Sequence, residues 1–366
     1  MSTYPYRNPY EDLSGIIDIR AVRSAGFREC RFDTGAVRIN YVVGPDNGPP
    51  LVLLPAQTGI WESYRRVLAP LSRRLRVYAV DVRGHGKSSW TPGEYSWRHL
   101  GADLTSFLSE VVGAPAVLSG NSSGGLLALW CAANLPGRVA GAILEDAPVF
   151  SAEMPRFRDR DRYVYGGLKH LAETLGDPRH RDVAGYFRGL TLPVSQTRQK
   201  RVPDWFISFL SRRVLAFRAR HPGRPLDLRF FPLRLRLLLK CLSMYDPDFA
   251  RAFVDGRFYE GLDHADALAR VSCPLLVLHG DWRRLPGHGL IGAMDDEDAG
   301  RIRRLVPHAR YQKIHANHVI HMFKPRQYVK AVNTFLAEEV FGEFAGPPGP
   351  SPERARRPDQ HKPGDG

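Results

Sequence analysis

Nine consecutive residues, Val117-Leu118-Ser119-Gly120-Asn121-Ser122-Ser123-Gly124-Gly125, join a short apolar run to an Ala/Leu-rich stretch of helical length. A G-x-S-x-G string placed between a strand and a helix describes a very tight turn. The positions two residues either side of the serine have no room for side chains, and the Ser122 hydroxyl is lifted above the sheet edge at a helix N-terminus. Without its flanks the string is a glycine-rich turn. With a strand before it and a helix after it, it becomes a strong constraint on both fold and chemistry.

The rest of the chain has the same rhythm. Arg28–Phe32 and Val37–Val43 flank Asp33-Thr34-Gly35, a hairpin signal in which the glycine supplies a positive φ. Leu51–Leu54, Val77–Asp81, Ala116–Ser119, Gly141–Glu145 and Pro274–His279 are short and almost free of polar residues, as strands buried on both faces are. Between them Glu62–Leu71, Trp97–Val112, Gly124–Asn134 and Pro325–Glu339 have helical length and spacing. The alternation predicts an α/β fold with a mostly parallel central sheet covered by helices on both faces. Residues 151–261 interrupt it with a stretch rich in Arg, Leu, Phe and Tyr and without a clear strand pattern, which reads as an inserted helical cap. Residues 1–26 form an N-terminal extension, 27–150 and 262–342 the α/β core, and 343–366, rich in Pro and Gly, a tail expected to be disordered.

Charge and cysteines narrow the function classes. The 366 residues carry 52 Lys and Arg against 38 Asp and Glu, and only eight of the basic residues are lysines. A net charge of +14 raises the question of nucleic-acid binding, but no zinc-ligand spacing, RNP-type aromatic motif or dense basic block accompanies it, so no nucleic-acid partner is expected. Cys30, Cys131, Cys241 and Cys273 form no CxxC pair and read as reduced, buried thiols. The N-terminus lacks a signal-peptide pattern and no apolar run reaches membrane-spanning length, so a soluble, cytoplasmic protein is expected.

With the Ser122 turn in its strand-to-helix setting, the sequence resembles the α/β-hydrolase fold family over roughly residues 27–150 and 262–342. Asp81-Val82-Arg83-Gly84-His85-Gly86-Lys87-Ser88-Ser89 is similar to the family's D-x-R-G-x-G-x-S loop. Leu51–Gln57 occupies the place of the strand and oxyanion loop, with Pro55-Ala56 where His-Gly is customary. Ile314-His315-Ala316-Asn317-His318-Val319-Ile320-His321, followed by Pro325, is similar to the late loop that carries the catalytic histidine.

The resemblance implies a serine hydrolase with a catalytic triad. A serine hydroxyl attacks a carbonyl only when an imidazole accepts its proton, and that imidazole needs a carboxylate to fix its tautomer. Ser122 is the nucleophile of this nucleophile elbow, and His318 matches the base. His321 takes a structural second-histidine place, and His85 and His279 are not expected to take part directly. The acid has two candidates. After the seventh strand the chain reads His279-Gly280-Asp281-Trp282-Arg283, with arginine where the family has aspartate, so Asp281 stands two residues early. After the sixth strand Glu145-Asp146 offers Asp146, with Glu145 behind it. Asp295, Asp296 and Asp298 read as a solvated, negatively charged helix start. The motif assigns the oxyanion-hole donors to the Ser123 N–H and the Gln57 N–H.

The expected chemistry is esterase-like hydrolysis of a carboxylic ester, with amide, thioester, lactone or carbon–carbon bond cleavage sharing the constellation. A serine at the elbow argues against the aspartate-dependent epoxide hydrolases and dehalogenases of this fold. No metal and no organic cofactor is implied. The cap holds 22 Lys and Arg against 12 Asp and Glu, and its aromatic and aliphatic residues suggest a small-molecule substrate with an apolar acyl or alcohol part. In Leu226–Leu242 arginines alternate with leucines and phenylalanines, which reads first as a buried helix with snorkelling arginines and second as a lid surface that contacts anionic or lipid-like substrates; membrane-surface contact through the basic cap is not the expected reading. A noncatalytic small-molecule binding protein on the same scaffold is the alternative reading.

Overall fold

The apolar runs assemble as two-sided strands. In the computed structural model, which describes residues 6–13, 19–176, 181, 183–193 and 199–342, eight of them make one sheet. They are β1 (Arg28–Asp33), β2 (Arg38–Val43), β3 (Pro50–Leu54), β4 (Arg76–Asp81), β5 (Ala116–Asn121), β6 (Val139–Glu145), β7 (Leu275–His279) and β8 (Arg310–Lys313). The spatial order is β1-β2-β4-β3-β5-β6-β7-β8. β2 runs antiparallel to β1 and β4, and every pair from β4 to β8 is parallel.

Alternate residues of the central strands serve two separate cores, as the strand period of two requires. Val52, Leu54, Val80, Leu118 and Leu144 pack beneath α1 (Trp97–Phe107) and α2 (Ser123–Asn134). Leu51, Leu53, Val117, Ile143 and Leu276 face the opposite core. Between β6 and β7 the chain leaves the sheet for a mainly helical excursion containing α3 (Arg162–Thr174), α4 (Asp204–Arg220), α5 (Leu233–Ser243) and α6 (Pro247–Asp255). After β7 come α7 (Asp296–Leu305), which packs on the α1–α2 side, and α8 (Pro325–Phe335), whose Tyr328, Val332 and Phe335 close the other core.

Several elements differ from the sequence reading, each for a local reason. Glu62–Leu71 is not one helix but a 3-10 turn at Trp61–Tyr64 and a short helix at Leu68–Leu71. Pro70 has no N–H and is tolerated only in a first helical turn, so the helix starts late. Leu226–Leu242 is helical only from Leu233, because Pro232 disfavours helical backbone at the residue before it. The edge strand β8 has no apolar alternation, since all four of its residues are only half-buried. Two short ribbons lie outside the sheet, Arg283–Leu285 with Gly289–Ile291 and, within the excursion where no strand was expected, Thr191–Pro193 with Gln199–Arg201.

Residues 6–13 are tied down: the Asn8 amide donates to the carbonyls of Gly86 (3.0 Å) and Ser88 (2.6 Å), and Tyr6 Oη donates to Asp246 (2.6 Å). The expectation of a disordered tail at 343–366 lies outside the described residues. Cys131, Cys241 and Cys273 are buried free thiols and Cys30 is a half-buried one. Among the described residues no helix is long and apolar enough to cross a membrane.

Candidate active site

The parallel strands point their C-terminal ends to one edge of the sheet, where ligands of open α/β sheets bind. In register, Asn121 of β5 lies beside Glu145 of β6, which lies beside Leu278 of β7. The residues that follow these strands, Ser122, Asp146 and Gly280, therefore emerge together.

Ser122 has φ +54° and ψ −121°, a conformation that is costly for a residue with a side chain. Its N–H donates to the Glu145 carbonyl (3.0 Å), and its own carbonyl accepts from Gly125 N (2.8 Å) and Leu126 N (3.1 Å). The flanking glycines have steric causes. A Cβ on Gly120 would lie 1.9 Å from the Gly124 carbonyl oxygen, and one on Gly124 would lie 2.2 Å from that of Leu54. The strain is thus held in place by backbone on both sides of the turn.

His318 Nδ1 donates to Asp146 Oδ2 at 2.7 Å, which leaves Nε2 as the acceptor on the ring. Asp146, almost fully buried and itself at φ +43°, also accepts from Gly280 N at 2.8 Å. Burial pushes the His318 pKa down, but the hydrogen bond and charge of Asp146, joined by the charge of Glu145, outweigh it and leave the pKa above the ordinary 6.5. Asp281 does not approach His318. It pairs instead with the exposed His315 at 3.0 Å.

Glu145 serves another histidine. His321 donates through Nδ1 to both of its oxygens (2.9 and 2.8 Å) and through its backbone N–H to Oε1 (2.8 Å), and its ring stacks on Tyr64 at 3.9 Å. His279 is buried between Tyr311 Oη (2.8 Å) and the Met294 carbonyl (3.0 Å). His85 accepts from Thr58 N (3.2 Å) through Nε2 and contacts the Arg83 carbonyl through Nδ1 (3.1 Å); burial lowers its pKa to about 4, so it is neutral.

Ser122, Ser123, Gln57 and His318 line one cavity of about 200 Å³, whose walls include Leu126 from α2 and Phe157, Leu168 and Phe253 from the excursion. Ser122 and His318 make no direct hydrogen bond among the described residues; such contacts often tighten only when substrate is bound. As the first residue of α2, Ser123 has an N–H without an intrahelical partner. Gln57 lies on the β3 loop, and its side chain donates to Tyr245 Oη at 2.8 Å.

Three arrangements were not read from the sequence. Asn121, the first variable position of the G-x-S-x-G string, donates to the carbonyls of Glu145 (3.1 Å) and His318 (2.9 Å), tying the base's loop to the strand end. Tyr245, between α5 and α6 of the excursion, reaches the Gln57 loop and carries no local motif that marks it. Asp295 and Asp298 are not a solvated helix start. They are buried, form a capping box on α7 and sit in an ionic cluster in which Arg156 bonds Asp298 (2.6 and 2.8 Å) and Arg284 bonds Asp295 (2.6 Å). Asp161 joins Arg156 and Arg284 (2.7 Å each) and also borders the cavity; only Asp296 of the acidic trio is exposed. Partners up to 142 residues apart leave no trace in a local window.

A mostly parallel sheet with a strained serine at the tip of its central strand, and an aspartate–histidine pair on the neighbouring strand ends, defines the α/β-hydrolase class. The model of the alpha/beta hydrolase fold family matches residues 49–325, and the chain belongs to that family. It is 35% identical over 100 residues to the magnesium-chelatase 30 kDa subunit of Rhodobacter capsulatus, covering 27% of this chain and 35% of that protein. It is 32% identical over 163 residues to the pimeloyl-[acyl-carrier protein] methyl ester esterase of Nitrosospira multiformis, covering 42% of this chain and 58% of the relative. The alignments thus span between about a third and three-fifths of the length of these curated relatives. The fold is shared with an esterase from Thermogutta terrifontis at a TM-score of 0.58 and 20% identity, over 85% of this chain and 98% of that one.

Proposed function

We propose that the chain hydrolyses a carboxylic ester or related acyl bond through an acyl-enzyme on Ser122. His318 Nε2 takes the Ser122 proton as Oγ attacks the carbonyl carbon, and Asp146 holds the ring in the required tautomer and stabilises the imidazolium. The Ser123 and Gln57 N–H groups bind the developing oxyanion. His318 returns the proton to the leaving alcohol, then draws one from water for the second attack, which frees the acid and restores Ser122. The observation that carries this reading is the 2.7 Å Asp146–His318 bond beside a strained serine on a shared cavity. The apolar walls of that cavity favour an uncharged, apolar acyl or alcohol part.

A fluorophosphonate probe tests it, with the adduct located by peptide mass spectrometry. Labelling of Ser122 that vanishes in Ser122→Ala and falls at least about a hundredfold in rate in His318→Ala is the expected result. A folded, unreactive protein would overturn the reading and leave a binding protein on the same scaffold.

A further inference from the structure

Residues 199–240 of the excursion contain eleven Lys and Arg and two Asp, and none of this charge has a part in the hydrolytic reading. The same stretch exposes large apolar side chains. Trp205 is 71% exposed, Phe230 58% and Leu233 43%. Trp205 and Phe230 belong to one aromatic cluster, joined through Phe206 and Phe231, which are half-buried against the core, and through Phe209: Trp205 contacts Phe206, Phe206 contacts Phe231, and Phe209 contacts both Phe230 and Phe231, with ring centroids 4.4–6.4 Å apart. On α4 the spacing i, i+4, i+7, i+8 puts Trp205, Phe209, Arg212 and Arg213 on one face. Arg213 lies over the rings of Phe209 (5.1 Å) and Phe230 (5.5 Å).

Part of the surrounding charge is uncompensated. Among the described residues Arg212, Arg213, Arg220, Arg224 and Arg234 have no carboxylate partner. Of the two acids, Asp227 is engaged by Arg229 and Arg236, and Asp204 opens α4. An exposed aromatic cluster with Arg212, Arg213 and Arg220 on the same helix face, and Arg224 in the loop that follows, has the composition of a surface that settles into the headgroup layer of a bilayer. A polyanionic peptide or a duplex nucleic acid would use the arginines, but would give a 71% exposed tryptophan and Phe230 no apolar layer to enter.

We propose that this face of the excursion docks the protein peripherally on an anionic membrane surface, with Trp205 and Phe230 entering the interface and Arg212, Arg213, Arg220 and Arg224 meeting lipid phosphates. The proposal does not depend on the catalytic reading. The test is co-sedimentation of the full chain with phosphatidylcholine vesicles with and without phosphatidylglycerol, for the native protein, for Trp205→Ala/Phe230→Ala and for Arg212→Gln/Arg213→Gln. Circular dichroism and the thermal midpoint serve as fold controls independent of activity; these exposed positions should leave both unchanged.

The expected result is binding to the phosphatidylglycerol-containing vesicles that weakens with salt, falls roughly fivefold per arginine neutralised, and falls at least about tenfold when both aromatics are removed. Aromatic-deleted protein that binds as tightly as native would overturn the proposal. So would binding to polyglutamate or duplex DNA equal to that for the vesicles, which would reassign the face to an acidic macromolecule.

Discussion

Two carboxylate–histidine pairs stand side by side at the end of β6 and differ in one respect. Asp146 and Glu145 are consecutive, and His318 and His321 are three residues apart, so both pairs come from the same two strand ends and have similar bond lengths. Asp146–His318 opens onto the cavity, its imidazole 39% exposed. Glu145–His321 is sealed, at 0% and 1% exposure, under the Tyr64 ring. Only the first pair can meet a bound molecule; the second, with both Glu145 oxygens taken by His321, can only hold a loop.

The largest expected effect separates the candidate acids. Asp146→Asn keeps the shape but presents an amide to His318 Nδ1, which disfavours the needed tautomer; kcat should fall by about 10^4-fold. Asp281→Asn should leave kcat within about twofold, since Asp281 reaches only exposed His315. The pH profile carries the same distinction. A base must be unprotonated, so kcat/KM falls as pH drops through the His318 pKa, which lies above 6.5 in the native chain. Without the Asp146 charge burial prevails, and the residual acid limb of Asp146→Asn should move to lower pH, while that of Asp281→Asn stays in place. A larger loss in Asp281→Asn than in Asp146→Asn would remove Asp146 from the proposed triad.

The sealed pair predicts a different kind of loss. His321→Ala strands the Glu145 carboxylate inside the core, and removal of one partner from a buried pair costs about 3 kcal/mol. Denaturant unfolding should show that loss, while the folded fraction keeps kcat within about fivefold. His318→Ala should do the opposite, with near-complete loss of turnover and a smaller loss of stability, because Gly280 N still bonds Asp146 and the cavity admits water where the imidazole stood. If both histidines changed stability and turnover alike, the two pairs would be one network.

How much of this was legible depends on whether the cause was local. The Ser122 turn could be read because its five-residue string shows in the sequence even though the carbonyl that requires Gly124 belongs to Leu54, and the strands β3 to β7 because burial on both faces writes an apolar run. His318 was legible through its loop. The acid was open because Asp146 and Asp281 follow neighbouring strands, and the choice turns on the backbone bend at Asp146, φ +43°, which no side-chain pattern announces. β8 was missed because an edge strand need not be apolar. The excursion was legible as helical and basic, but not in where it exposes aromatic rings, which depends on how Pro232 starts α5.

The smallest effect tests whether the excursion contributes to the reaction as well as to the cavity wall. Gln57 is held through its side chain by Tyr245 Oη, and the next N–H, that of Thr58 at φ +62°, is held by neutral His85. The Tyr245 and His85 rings contact each other edge to face at 4.9 Å, so one assembly from the excursion and the Asp81–Ser89 turn fixes the loop that carries Gln57, whose N–H is the proposed oxyanion donor. Tyr245→Phe keeps the ring contacts and removes only the hydroxyl. A neutral hydrogen bond is worth about 1 kcal/mol, so a loop misaligned by its loss should cost roughly fivefold in kcat. KM should hardly change, because the donor acts on charge that develops in the transition state. A rise in KM at constant kcat would mean instead that Tyr245 shapes the binding wall and leaves the oxyanion loop alone.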